Sequence, residues 1–195
     1  MPAGIAVLDC FLAGLRELKG RSPAAAGRLR VHFVGTGRSP NDAEGHQVRP
    51  RAERMGVGDM VEEHPQRIGY VDALNHLARS DGVLVLGSTE AHYTPSKVFQ
   101  AMLSRRPVFA MLHKDSTAVD MIRSMRAGSI VTLTETALPD ASSVADALQA
   151  FMADTSHDAD AIDRTAFDAY SARGSTRALA AALDLACERA AAGRG

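Results

Sequence analysis

Apolar residues recur along the chain with two periods, and the switches between them mark its elements. Ile5, Leu8, Leu12 and Leu15 fall at helical spacing and predict a helix over 5–18, stopped by Gly20 and Pro23. Arg-Val-His-Phe-Val-Gly at 30–35 reads as a strand that turns at Thr36-Gly37. The polar, Gly/Ser/Pro/Asn/Asp-rich stretch 36–47 reads as a loop, followed by a short helix over 48–56 that Pro50 constrains. Met60-Val61-Glu62-Glu63 is a weak strand signal. Val71, Leu74, Leu77 and Ala78 share one face of a helix ended by Asp81-Gly82. Val83-Leu84-Val85-Leu86-Gly87 is continuously apolar, the pattern of a parallel strand buried on both faces. Pro107 to Leu112 and Ile130 to Leu133 are further strands, with helices over 95–104 and 116–126. In the first of these helices Thr94 is the expected N-cap and Pro95 the first helical residue. Beyond residue 135 strand signals stop, and helices are predicted over 142–152, 158–170 and 176–190.

Strands alternating with helices from 30 to 133 argue for βαβ units with right-handed crossovers. The expected fold is α/β: one domain over 1–195 with an open, parallel Rossmann-like sheet, helices on both faces and a helical tail over 136–195. Ligands in such sheets sit at the carboxyl ends of the strands. Three segments arrive there: 35–38, 87–97 and 112–117.

Composition narrows the function classes. Hydrophobic residues make up 46% of the 195, and 22 Lys plus Arg nearly balance 23 Asp plus Glu. That excludes a disordered chain and gives no basic excess for nucleic-acid binding. No apolar run approaches the roughly 18–20 residues of a membrane span. Met1-Pro2-Ala3 lacks the basic start of a signal peptide, and Cys10 and Cys187 make no disulfide framework, so a cytoplasmic protein is expected. Aromatic residues are 5% and Trp is absent, so the core rests on Leu, Val, Ile, Ala and Met. The neutral total hides a split. Between 88 and 126, Lys97, Arg105, Arg106, Lys114, Arg123 and Arg126 outnumber Glu90, Asp115 and Asp120, whereas the acids are in excess after 135. A basic middle favours anions, although such patches are often only solubilising.

The segment Gly87-Ser88-Thr89-Glu90-Ala91-His92-Tyr93-Thr94-Pro95-Ser96-Lys97 is richest in chemistry. It joins a buried strand to a helix start, whose free N–H groups and positive dipole end suit phosphate. Ser96 adds a hydroxyl and Lys97 a cation; the plain alternative is an ordinary turn with a solvated lysine. Gly35-Thr36-Gly37-Arg38 could admit a phosphate to the backbone. Pro40 stands where the dinucleotide fingerprint needs its third glycine, so no NAD site is expected. Glu90 and His92 offer an acid–base pair, and His113, Asp115 and Ser116 could line the same crevice. His32 reads as structural. His46, His64, His76 and His157 lack ligand spacing, so no metal site is expected. Neither a nucleophile elbow nor a Walker loop is present.

From Val83 to Leu112 the chain reads VLVLGSTEAHYTPSKVFQAMLSRRPVFAML. This run resembles the nucleotide-sugar-binding, C-terminal half of GT-B glycosyltransferases, particularly family 4. Its loop leads into a Pro-Ser-Lys helix start, and a Pro-Val precedes the next strand. Val31 to Gly37, the approach from Arg67-Ile68-Gly69-Tyr70 to Ser80-Asp81, and Phe167 to Ser171 are similar to other parts of that half.

The resemblance implies a transferase of the cell-envelope polysaccharide kind that moves a sugar from a nucleotide-sugar to an acceptor. Glu90, His92, Tyr93, Thr94, Ser96 and Lys97 would hold the donor's diphosphate and sugar. Gly37, Arg38, Arg67 and Ile68 would lie near its base and ribose. The family's Glu-x7-Glu is altered, with His92 at the first position and Gln100 at the second, so ribose recognition is open. The implied partners are a nucleotide-sugar donor and a sugar or lipid acceptor bound through an N-terminal domain that this chain lacks. No nucleic acid, membrane span, metal or cofactor is implied, and the catalytic residues stay unassigned. Such families often associate peripherally with the inner face of a membrane. The family's opening strand, with an Arg and a Lys for the diphosphate, is not seen before Ile5, which suggests a fragment or one half of a split enzyme. A nucleotide-sugar epimerase of the same architecture and a non-catalytic nucleotide-binding module remain alternatives.

Overall fold

The computed structural model describes residues 3–154, 157–160, 164–168 and 170–192. The first apolar stripe forms α1 (Ala3–Arg21), longer at both ends than its periodicity predicts. Gly20 does not stop it; the chain breaks at Ser22, and Pro23 opens the four-residue α2 (Pro23–Ala26). β1 (Val31–Val34), α3 (Arg49–Arg54), a 3-10 turn (Gly58–Met60) and β2 (Val61–His64) follow. Then come α4 (Tyr70–Arg79), β3 (Val83–Leu86), α5 (Val98–Leu103), β4 (Val108–His113), α6 (Thr117–Ser124) and β5 (Gly128–Leu133). The C-terminal part holds α7 (Ala141–Ala153), α8 (Arg164–Asp168) and α9 (Ala172–Ala192). The helix expected over 158–170 falls partly on residues outside the described ones.

All strand pairing is parallel. The expected strands are present, but in two groups: β1 pairs with β2, and β3–β4–β5 form a separate ladder. β1 and β3 are each bonded on one edge and are not bonded to each other.

Period-2 alternation distributes the side chains of β3 and β4 between two cores. Val83, Val85, Val108, Ala110 and Leu112 pack with Val98, Ala101 and Met102 of α5 and Ala118, Val119 and Ile122 of α6. Leu84, Leu86, Phe109 and Met111 turn to the other face, against α1 and α7. That second core also takes Val31 and Phe33 from β1, Val61 from β2 and Ala52 from α3. Helix α1 therefore roofs both strand groups, and helices cover both faces of the β3–β4–β5 sheet. This is an open parallel α/β architecture of Rossmann-like type.

Two expectations change. The stretch after 135 is not uniformly a tail, because α7 is core: Val144, Ala145 and Leu148 are buried, and a Cβ on Gly14 of α1 would come within 2.3 Å of Val144 Cγ1. Gly14 is what lets these helices cross closely. Helix α9, by contrast, has no buried residue, with Leu179, Leu183 and Leu185 exposed. Helix α4 forms where expected, yet none of its residues is fully buried, and Val71 is 67% exposed. Its apolar face is only partly covered. Cys10 is buried and Cys187 exposed, and neither is in a disulfide.

Candidate functional site

α1 orients the strand ends. Its N-terminal turn reaches the end of β3, where a Cβ on Gly4 would lie 3.7 Å from the Gly87 carbonyl oxygen. From the far end of α1 the chain returns as β1. The carboxyl end of β3 thus lies at the N-terminal end of α1, and the candidate residues fall in two clusters, one beyond each strand group.

The first cluster follows β1 and β2. Gly35 donates to the His64 carbonyl at 2.8 Å and Gly37 to that of Pro65 at 2.9 Å, while the Arg67 N–H donates to Pro40 at 3.1 Å. These bonds carry the ladder past the strands and bring the 35–38 and 65–67 loops together. Gly35 has φ +78°, and a Cβ on Gly37 would sit 2.8 Å from the Asp42 carbonyl oxygen and 2.9 Å from that of Pro65. Both positions therefore require glycine. The Arg38 N–H donates to Asp42 Oδ2 at 3.3 Å, leaving the guanidinium exposed.

Sequence reasoning missed the residue that holds this cluster together. Glu63 is 6% exposed. Its carboxylate accepts from Thr36 Oγ1 at 2.5 Å, Gln47 N–H at 2.8 Å, Val48 N–H at 3.0 Å and Arg49 N–H at 2.7 Å. One side chain thus ties the Gly-Thr-Gly turn to the start of α3. Burial pushes the Glu63 carboxyl up, but the Arg49 N–H, the Thr36 hydroxyl and the Gln47 and Val48 N–H groups outweigh it and hold it below the usual range. The signal was in the alternation of Val-Glu-Glu-His: with Val61 facing the core, Glu63 must face it too.

The second cluster follows β3 and β4. Ser88 is buried, and its hydroxyl accepts from Glu90 N–H at 3.3 Å and donates to Glu90 Oε2 at 3.4 Å. Glu90 thus engages Ser88 rather than His92. The buried Ser116 hydroxyl donates to the Tyr93 carbonyl at 3.1 Å, and Thr94 Oγ1 lies 2.8 Å from Thr117 Oγ1. His113 is buried at the end of β4, with Nδ1 accepting from Asp115 N–H at 3.2 Å. The expected convergence of the 87–97 and 112–117 segments is therefore present.

The helix start differs from expectation. α5 begins at Val98 with Lys97 at the N-cap and no side-chain cap, so Thr94 caps nothing and Pro95 is not its first residue. Thr94 turns to Thr117 instead. With only six residues, α5 supplies a weak dipole, so its start offers an anion little beyond its side chains. The Gln100 amide nitrogen, oriented to donate, reaches the Ser96 carbonyl at 2.9 Å and that of Lys97 at 3.2 Å. It is engaged within its own helix start. His92, Ser96 and Lys97 are exposed, and Tyr93 is 43% exposed. Among the described residues the charged ends of Arg38, Arg67 and Lys97 make no ion pair. A surface depression of about 410 Å³ lined by Glu44, His46, Arg49, Pro50 and Glu53 lies beside α3 and apart from the second cluster. Among the described residues no helix is long and apolar enough to cross a membrane.

No protein-family model and no curated protein matches the chain. The chain is similar to the solved structure of WaaG, described as a glycosyltransferase involved in lipopolysaccharide biosynthesis, at a TM-score of 0.59 and 15% identity. The match covers 89% of this chain and 40% of that one, so the chain spans well under half the length of the protein it resembles. The fold shared over that span is a Rossmann-like half of the GT-B type.

Proposed function

We propose that this chain is the donor-binding, C-terminal half of a glycosyltransferase of family 4 type. It would move a sugar from a nucleotide-sugar to an acceptor held by another domain. The observation that carries the reading is the meeting of a GT-B-like fold with Arg38, Arg67 and Lys97, which make no ion pair among the described residues, in the loops that follow the strands. Lys97, with the Ser96 hydroxyl, would stabilise the charge that builds on the leaving diphosphate. Tyr93, Thr94, His92 and Glu90 would flank the sugar, and Gly37, Arg38 and Arg67 would approach base and ribose. Gln100, turned toward Ser96 and Lys97, would act on the site chiefly by holding that turn.

The free edges of β1 and β3 support the half-enzyme reading. A strand placed ahead of α1 by a right-handed crossover would lie between them and close the two ladders into one sheet. Cell-envelope sugars as products, and a position at the inner face of a membrane, belong to the same proposal.

Calorimetric titration with UDP-, GDP- and ADP-sugars tests the reading. Binding of one donor, weakened about fivefold in Lys97→Ala, is expected for an exposed charge-assisted contact of about 1 kcal/mol. Unchanged affinity in Lys97→Ala removes Lys97 from the site. No binding of any donor, also after a strand-bearing segment is fused ahead of α1, defeats the proposal.

A further inference from the structure

The strand pair β1–β2 has a second chemistry, on the face turned away from α1. In the parallel register His32 stands opposite Glu62, and Val34 opposite His64. Side chains alternate along a strand, so 32 and 34 share a face with 62 and 64. Val31, Phe33, Val61 and Glu63 occupy the other face, against the core. The backbone beneath His32, Glu62 and His64 is therefore fixed by packing on its far side.

These three side chains converge. Each offers one ligand atom, and the three atoms all lie within 4.8 Å of one another. His32 Nδ1 is already 3.3 Å from Glu62 Oε2, and both side chains are 54% exposed. Closing the set around an ion needs only rotations of solvent-exposed side chains. His32 and His64 lie in different strands, so their sequence spacing carries no ligand signal; the ladder alone brings them together.

From this geometry we infer a divalent metal site formed by His32, Glu62 and His64. Two imidazole nitrogens and one carboxylate oxygen suit borderline cations such as Zn²⁺, Co²⁺ and Ni²⁺, and not the oxygen-seeking Mg²⁺ or Ca²⁺. Three protein ligands on one open face leave a position for water or an exogenous ligand. A bound ion would also cross-link β1 to β2 on their exposed face. The three side chains are not among those proposed for the donor, although the His64 carbonyl holds Gly35, so the two readings are tested by different substitutions.

The test uses the untagged full chain. Calorimetric titration with Zn²⁺ is expected to show one ion per chain, and Co²⁺ to give the visible bands of a bound, low-symmetry ion. Excess Mg²⁺ should not displace either. His32→Ala, Glu62→Gln and His64→Ala are each expected to weaken binding at least about tenfold, whereas His76→Ala, at an exposed position on α4, should leave it unchanged. Zn²⁺ should raise the Tm of the parent chain and not of His64→Ala, while circular dichroism verifies that the variants fold. Absence of Zn²⁺ binding, or affinity retained in all three variants, overturns the inference.

Discussion

The two strand groups are built from the same kind of parallel ladder and live in different surroundings. β4 is buried at every position and sits between α1 and α7 on one face and α5 and α6 on the other. β2 alternates buried and exposed, and β1 alternates half-buried and exposed, because helices cover only one of their faces. The sequences encode the difference. Val-Phe-Ala-Met-Leu is apolar throughout, as a strand covered twice must be, whereas Val-His-Phe-Val and Val-Glu-Glu-His place polar side chains on an open face. The covered sheet supplies stability. The one-sided pair supplies polar chemistry, with Glu63 inward and His32, Glu62 and His64 outward.

Core truncation should separate the two groups most sharply. Met111 in β4 is fully buried under α1. Met111→Ala removes most of a side chain from a packed site and is expected to cost roughly 2–5 kcal/mol, read from urea or thermal unfolding. A loss below about 1 kcal/mol would mean the three-stranded sheet is not the stabilising centre.

Glu63 should be the exception that makes the one-sided pair depend on a single carboxylate. Glu63→Gln keeps the shape but replaces a charged acceptor of several donors, and a loss of about 2 kcal/mol is expected. Its sign with pH follows from the depressed carboxyl. The folded state holds the ionised form more tightly than the unfolded state does, so the contribution is fully present above the ordinary glutamate value. It is lost as pH falls through the lowered folded value. The gap between parent and Glu63→Gln should therefore close on acidification; a constant gap would show that the charge is not what Glu63 contributes.

What was legible before the structure follows the same division. Strands 30–35, 83–87, 107–112 and 130–133 and the helices between them were readable because periodicity is local. Tertiary partners were not. Thr94 looked like an N-cap by position, yet its hydroxyl finds Thr117 and α5 starts at Val98. Val71 lies on an apolar helical face that the fold leaves largely open. His32 and His64 have no sequence relation until β1 and β2 pair. The gathering of 87–97 with 112–117 was readable, because strand ends in a parallel sheet must converge. The pairing of Glu90 with Ser88 was not, because it depends on one turn's side-chain geometry.

The smallest expected effect tests the open face directly. Val34 lies beside His64 on the outward side of β1 and is 39% exposed, although it is apolar. Threonine has nearly the same shape and a comparable preference for strands, and a half-exposed hydroxyl keeps its access to water. Val34→Thr should therefore change stability by no more than about 0.5 kcal/mol, against the several lost at Met111. A cost of 1 kcal/mol or more would mean that the outward face of β1–β2 is covered when the protein is in solution. That result would remove the contrast between the two strand groups, and the open face on which the metal site depends would go with it.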